Sequence, residues 1–268
     1  MHIRTTVFAM AAASIALPAA AAESPHPGCE GLDARQCVDL AITAMGGRAA
    51  LAGISNEQID LVSHTLLTEQ SYRQDPFITS YSRIRLTLDL AGKRQRIEAT
   101  LIWPESDPDT ASAEQSVTQV TVPTDEKLEL GPERLLLTAA AAPDLRYAPP
   151  ETLRATAHTV VTFTWRGMPV RVLINAFNHL PDAVEKTQWF KSDFWFAWGD
   201  VAQRIDFDNW KLIGGVVYPT NQIEARNGVL WRSSQVLEDK FNVALDDKAL
   251  TVDPAAAAEA AKIGRAHV

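Results

Sequence analysis

The sequence predicts an α+β fold, mainly antiparallel β-sheet, with a short N-terminal helical cap. Three observations predict it. The first is the stretch 193–242, which breaks at Gly214-Gly215 and at Asn227-Gly228 into consecutive antiparallel strands. An Asn-Gly pair between alternating segments is a strong hairpin signal, because both turn residues need positive φ. The second is a strict period of two over 82–101. Ser82, Ile84, Leu86, Leu88 and Leu90 alternate with Arg83, Arg85, Thr87 and Asp89. After an Ala91-Gly92 turn, Arg94, Arg96, Glu98 and Thr100 alternate with Gln95, Ile97, Ala99 and Leu101. Such strands bury one face and wet the other. The third is an apolar stripe at helical spacing, Cys37, Val38, Leu40, Ala41, Ala44 and Met45, near the N-terminus.

In chain order, residues 1–22 are expected to be a signal peptide. Met1 to Arg4 supplies the positive start, Thr6 to Leu17 the apolar run, and Ala20-Ala21-Ala22 the cleavage site before Glu23. The run is too short to span a membrane, and no Cys follows it for lipid attachment. The expected product is periplasmic or secreted. Residues 23–31 form a Pro/Gly-rich leader. Asp33 then caps a helix, with Gln36 three residues on as the other half of a capping box, and Gly46-Gly47 ends it. Arg48 to Gly53 adds a helical turn.

Strands are expected from Ile59, beginning with Leu61 to Leu67 and continuing from Ser71 through the two alternating strands. Pro104 to Gln115 reads as an acidic loop, Ser116 to Val122 as a strand, Glu133 to Ala140 as a second short helix and Ala142 to Pro150 as a loop. His158 to Trp165 and Pro169 to Asn175 make a hairpin around Arg166-Gly167. Leu180-Pro181 leads into Ala183 to Trp189 and then the 193–242 meander. The helix-capped sheet is expected to occupy residues 32–250, with a linker starting over 251–262.

Composition bounds the function. The 268-residue chain is 46% hydrophobic and 22% charged, ordinary for a packed globular protein. A formal charge of −8 and pI near 5.3 argue against nucleic acid and against a basic membrane-surface role. Cys29 and Cys37 lie in a chain expected to be exported, where thiols pair, so a structural disulfide is expected; a free pair or metal site are the alternatives.

The last six residues, 263–268, match ATC GGA AGA GCA CAC GTC, one frame of a common sequencing adapter that ends at its own TGA. They are expected to be an adapter artefact, with the natural gene continuing beyond about Ala261. A natural stop after Val268 in genomic DNA would overturn this.

Several segments carry a resemblance: AMGGRAALAGI, QSYRQDP, RLTLDLAGKRQRIE, FAWGDVAQRIDFDNWKLIGGVVYPTNQIEARNGVLW and VALDDKALTV. Over roughly residues 38–250 the chain resembles the N-terminal region of some exported bacterial proteins that carry a metallo-β-lactamase-fold hydrolase domain downstream. That region is similar to the lipoprotein-carrier (LolA/LppX-like) half-barrels. The resemblance implies a curved half-barrel sheet with a helical element against its concave side. It also implies a non-catalytic accessory or binding module, with zinc confined to a missing downstream domain. The hydrolase family's H-x-H-x-D-H motif is absent; His2, His26, His64, His158, His179 and His267 are isolated, so no metal ligand carries over. The alternative is a stand-alone periplasmic carrier for an apolar, lipid-like ligand. Oligomeric state is left open.

No G-x-S-x-G, P-loop or dinucleotide fingerprint occurs, and Ser233-Ser234 has no helical elbow. His64 reads as a surface or satisfied histidine on the strand face opposite Leu61, Ser63 and Thr65. Asn178-His179 reads as a turn. Asp206 and Asp208 share a strand face, as an acid/base pair would, but also as a charged face against aggregation would. Neither catalytic nor metal residues are assigned. The aromatics are richer: of seven tryptophans, Trp165, Trp189, Trp195, Trp198, Trp210 and Trp231 are candidates to line a concave apolar cleft for an acyl or other apolar ligand, the alternative being plain core.

Overall fold

The computed structural model describes residues 25–68, 77–102, 115–190 and 199–251. The signal peptide, most of the acidic loop, Trp195, Trp198, the linker after Thr251 and the C-terminal tail lie outside these residues.

Among the described residues, eleven strands form one antiparallel sheet. They are β1 (Asn56–Leu66), β2 (Thr79–Asp89), β3 (Arg94–Ile102), β4 (Gln115–Thr121), β5 (Arg146–Leu153), β6 (Thr156–Trp165), β7 (Met168–Asn175), β8 (Pro181–Phe190), β9 (Gly199–Ile213), β10 (Val216–Arg226) and β11 (Val229–Phe241). Their order is β4-β3-β2-β1-β11-β10-β9-β8-β7-β6-β5. The C-terminal strand β11 therefore pairs with β1, joining two meanders at the middle of the sheet. Four helices, α1 (Ala34–Ala44), α2 (Arg48–Ala52), α3 (Asp125–Leu130) and α4 (Leu135–Ala141), accompany the sheet. The sheet is open and curved, and the mainly antiparallel expectation holds.

Local chemistry explains the elements. The capping box forms as expected: the Asp33 carboxylate accepts from Gln36 N at 2.8 Å, and Gln36 Oε1 accepts from Asp33 N at 2.9 Å. The Arg166-Gly167, Gly214-Gly215 and Asn227-Gly228 turns all hold two residues at positive φ, the geometry that matches strand twist in a tight hairpin. Gly46 is required for a second reason. At φ +114, a Cβ there would lie 2.4 Å from the Gly215 carbonyl oxygen, where α1 docks on the β9–β10 turn. Val217 N seals that contact by donating to Met45 O at 2.9 Å.

Cys29 and Cys37 form a disulfide, Cα–Cα 5.5 Å, tying the leader to α1. Closing so short a loop stabilises by about 2–3 kcal/mol on the chain-entropy account. The leader is also seated on the sheet, where Thr159 Oγ1 donates to Pro27 O at 2.9 Å.

Two sequence expectations need correction. The 142–150 loop largely becomes edge strand β5, whose register shifts between Ala148 and Glu151 around Pro149-Pro150. Proline is tolerated there because an edge strand at a bulge need not donate every N–H. Its turn, Arg154-Ala155 at φ 50° and 61°, contains no glycine and so gave no signal. The helix expected at Glu133 to Ala140 is α4, which starts two residues later at Leu135, and it is preceded across Gly131-Pro132 by α3, Asp125–Leu130, which the sequence reading did not assign.

The main core lies between α1, α2 and α4 and the inner faces of β5 to β10. It holds Val38, Ala41, Ile42, Leu51, Leu135, Leu136, Val161, Phe163, Val172 and Phe207, among others. A second, smaller cluster, Ile59, Leu86, Leu88 and Val236, lies on the inner faces of β1, β2 and β11.

Candidate functional site

The inner face of the sheet is bridged by α3. A six-residue helix is only about 9 Å long, yet α3 reaches both arms of the curved sheet. Thr124 caps it, its Oγ1 accepting from Lys127 N at 3.3 Å, and Asp125 and Glu126 suit the positive end of the helix dipole. On one arm, Lys127 Nζ donates to Gln95 Oε1 on β3 at 3.3 Å. On the other, Glu126 pairs with Lys186 on β8, and Glu129 accepts from Trp165 Nε1 at 2.6 Å and Arg166 at 2.8 Å. Arg166, and then Trp165, hold the Glu129 carboxyl below its ordinary range. Leu128 packs on the Ile59, Leu86, Leu88 and Val236 cluster, and Leu130 enters the main core. The seat is close-fitting: a void of about 10 Å³ remains among Glu126, Leu130, Val184, Lys186, Gln203 and Ile205.

Behind α3 sits a buried acid cluster that the sequence reading missed. Glu57 on β1 and Glu133 on the turn between α3 and α4 are each 2% exposed, and Asp239 on β11 is 8% exposed. Tyr218 on β10 shares a hydrogen bond with Glu57. Burial pushes the Glu57 carboxyl well up, and the charges of Glu133 and Asp239 push it further. Burial likewise raises Glu133, and it moves Asp239 up to about 7. Burial lowers Lys127, against the opposing pull of Glu57 and Glu133. Taken as carboxylates, Glu57 Oε1, Glu133 Oε1 and both Asp239 oxygens find no donor. Glu57 and Asp239 lie diagonally on adjacent strands of one buried face, Ile59 pairing with Asp239 and Glu57 with Phe241. Carboxyls so placed away from water are stabilised by holding protons, the direction in which burial moves both.

One signal of this cluster was available. Glu57 has the same strand parity as Ile59 and Leu61, which puts a charge on the buried face. Asp239 was concealed by a β-bulge. Leu61 pairs with Val236 but Asp60 with Glu238, so the extra residue Leu237 turns outward and Asp239 shares a face with Val236.

The sequence candidates fall in separate places. Trp165 is buried and bound to Glu129, while Trp189 is 65% exposed at the end of β8. Trp210 stacks edge-on to Phe207 and donates to Asp182 Oδ1 at 3.3 Å. Trp231 lies under the guanidinium groups of Arg226 and Arg232, at 3.4 and 4.0 Å. Asp206 and Asp208 lie on the outer face, each held by its own arginine: Arg204 at 2.6 Å and Arg154 at 2.7 Å. His64 is exposed, edge-on to Tyr81, and His179 sits at positive φ in the turn before β8.

His158 is fully buried. Its ring nitrogens face Thr156 O at 2.8 Å and Asp182 Oδ2 at 3.0 Å. Asp182 also accepts from Asn175 at 2.7 Å. Burial opposes ionisation of Asp182, but these donors outweigh it and lower its pKa. This is a satisfied structural network. Among the described residues, no three His, Cys, Asp or Glu side chains are placed to hold a metal ion. Nor is any described helix long and apolar enough to cross a membrane.

No protein-family model and no curated protein sequence matches the chain. Among solved structures, it is similar to a LolA superfamily protein from Nitrosomonas europaea, with a TM-score of 0.46 and 14% identity over 82% of this chain and 98% of that one. It is also similar to a DUF1329 family protein from Desulfovibrio piger, with a TM-score of 0.42 and 11% identity over 84% and 98% of the two chains.

Proposed function

We propose that the chain is an exported binding module that takes an apolar, acyl-chain-like ligand on the inner face of its sheet, beneath α3. One observation carries this reading. The inner face of β1, β2, β3 and β11 carries an apolar patch, with Ile59, Leu86, Leu88 and Val236 buried and Leu61 and Ile97 partly buried, bordered by Glu57, Gln95 and Asp239. The helical side chain covering that surface is Leu128, from a single six-residue helix. Lifting α3 would open an apolar trough with polar strap residues at its margin, the chemistry an acyl chain with a polar end requires.

The test uses purified protein stripped of bound lipid and titrated with a dansyl-labelled fatty acid. Saturable fluorescence enhancement is expected. Ile97→Glu, at a partly buried position, is expected to weaken it about tenfold or more, since a charge would meet the chain in the trough. Absence of saturation, or equal binding by a folded Ile97→Glu variant, would reject the reading.

A second reading makes this module the accessory half of an exported metallo-β-lactamase-fold hydrolase. It is supported by the sequence segments quoted above, and sequencing downstream of the Ala261 codon tests it. An open frame running into H-x-H-x-D-H would support it, and a natural stop would remove it.

A further inference from the structure

We propose that Glu57, Glu133 and Asp239 form a proton-held latch that seats α3 and the turn behind it on the sheet, and that releases them as the cluster ionises. The placement of the groups carries the inference. Glu57, Asp239 and Tyr218 belong to three strands of the sheet, whereas Lys127 and Glu133 belong to the segment that covers it. The cluster therefore straddles the boundary that must open if the trough is to fill.

The charges facing the cluster do not balance. Lys127 is the ammonium set against Glu57 and Glu133, and Arg134 also pulls on Glu133. Arg134, next to Glu133, directs its guanidinium to the carbonyl oxygens of Leu51 and Ile54. Arg232, on β11, faces Lys127 from the other side and repels it; its Nε donates to Thr65 Oγ1 at 3.2 Å. Gln95, on β3, is neutral. Tyr218 offers one hydroxyl to Glu57. Two cations, Lys127 and Arg134, cannot neutralise three buried carboxylates, so protons must do the rest.

With its protons in place, the cluster is a contact between sheet and turn. Without them, Glu133 on the turn confronts Glu57 and Asp239 on the sheet as like charges in a dry site. Pro123 on one side and the start of α4 at Leu135 on the other bracket the segment that would move, with Glu133 inside it. The anchored helix α4, buried through Leu135, Leu136, Ala139 and Ala140, stays behind.

The direction follows from linkage. All three carboxyls bind protons more tightly in the seated state than in an exposed one. Seating is therefore strongest in acid and weakens as pH rises above the ordinary carboxyl range, through about 7 for Asp239, with Glu57 raised in the same direction by burial. What an open latch admits rests on the binding-module reading above; the latch itself does not.

Hydrogen exchange on the whole chain, without ligand, tests it. Amide protection over 125–134, corrected for intrinsic exchange, is compared with that of α1 between pH 5.5 and pH 8.5. Protection over 125–134 is expected to fall roughly 10- to 100-fold relative to α1, and Asp239→Asn or Glu57→Gln is expected to abolish the fall. A constant ratio, or a parallel loss in both regions, overturns the latch. If neither variant folds, the ratio in the unaltered protein decides alone. Saturable dansyl-lipid binding with a constant ratio removes the latch and keeps the binding module. A falling ratio without lipid binding at pH 8.5 does the reverse.

Discussion

Two regions of one sheet are finished differently. Over β5 to β10, the inner face meets α1, α2 and α4, whose apolar stripes interlock with it into a continuous core. Over β1 to β3 and β11, strands with the same period of two meet one short helix, and a four-residue cluster results. The strands are alike in pattern, so the difference comes from what covers them. A fold can thus place its stability under a layer of several packed helices and leave another stretch under a single short helix that is easier to move.

The largest expected effect lies in the first region. Phe163 is 1% exposed among Val161, Val170 and the helices, and Phe163→Ala should destabilise by about 3–5 kcal/mol. Urea unfolding measures this, and a loss below about 1 kcal/mol would mean that the helix-covered half does not carry the fold. Leu128→Ala should do less. The side chain is only partly buried, so the global loss should stay near 1 kcal/mol, below the 2–5 kcal/mol range of fully buried leucines. Exchange over 125–130 should nevertheless quicken while α1 is unchanged. A global loss as large as that of Phe163→Ala would erase the distinction between the two regions.

What the sequence revealed follows the same division between local and distant causes. The α1 capping box, the Asn227-Gly228 and Arg166-Gly167 hairpins and the alternation of 82–101 were legible because each depends on residues within one turn or one strand pair. The pairing of β1 with β11 was not, since it joins segments about 180 residues apart and nothing local specifies it. β5 was hidden by a turn without glycine and by Pro149-Pro150. The Asp89–Arg94 ion pair forms across the β2–β3 turn at 2.6 Å, while Arg85 pairs with Asp60 on β1 rather than with Glu98 on β3. The acid cluster needed three strands and a helical turn to assemble, and a bulge reversed the parity that would have betrayed Asp239. The tryptophans drew attention by number alone, and those described serve different neighbours.

The smallest effect separates the two kinds of carboxyl most cleanly. Asp60 lies on the outer face of β1, one strand face away from the latch. Arg85 binds it through Nε and Nη2, both at 2.7 Å. That hydrogen bonding, opposed by slight burial, lowers the Asp60 pKa. Its contribution is therefore present above the unfolded carboxyl value and is lost as pH falls through the lower native one. Asp60→Asn should cost no more than about 0.5–1 kcal/mol at pH 7, as partly exposed ion pairs do, and nothing in strong acid. Asp239→Asn should show the opposite trend, gaining relative to the unaltered protein as pH rises from 5 to 8. Urea midpoints of the two variants, followed from strong acid to pH 8, check the contrast. Parallel profiles would mean that burial behind α3 does not set the charge state of Asp239, and the difference between the two faces of β1 would lose its physical basis.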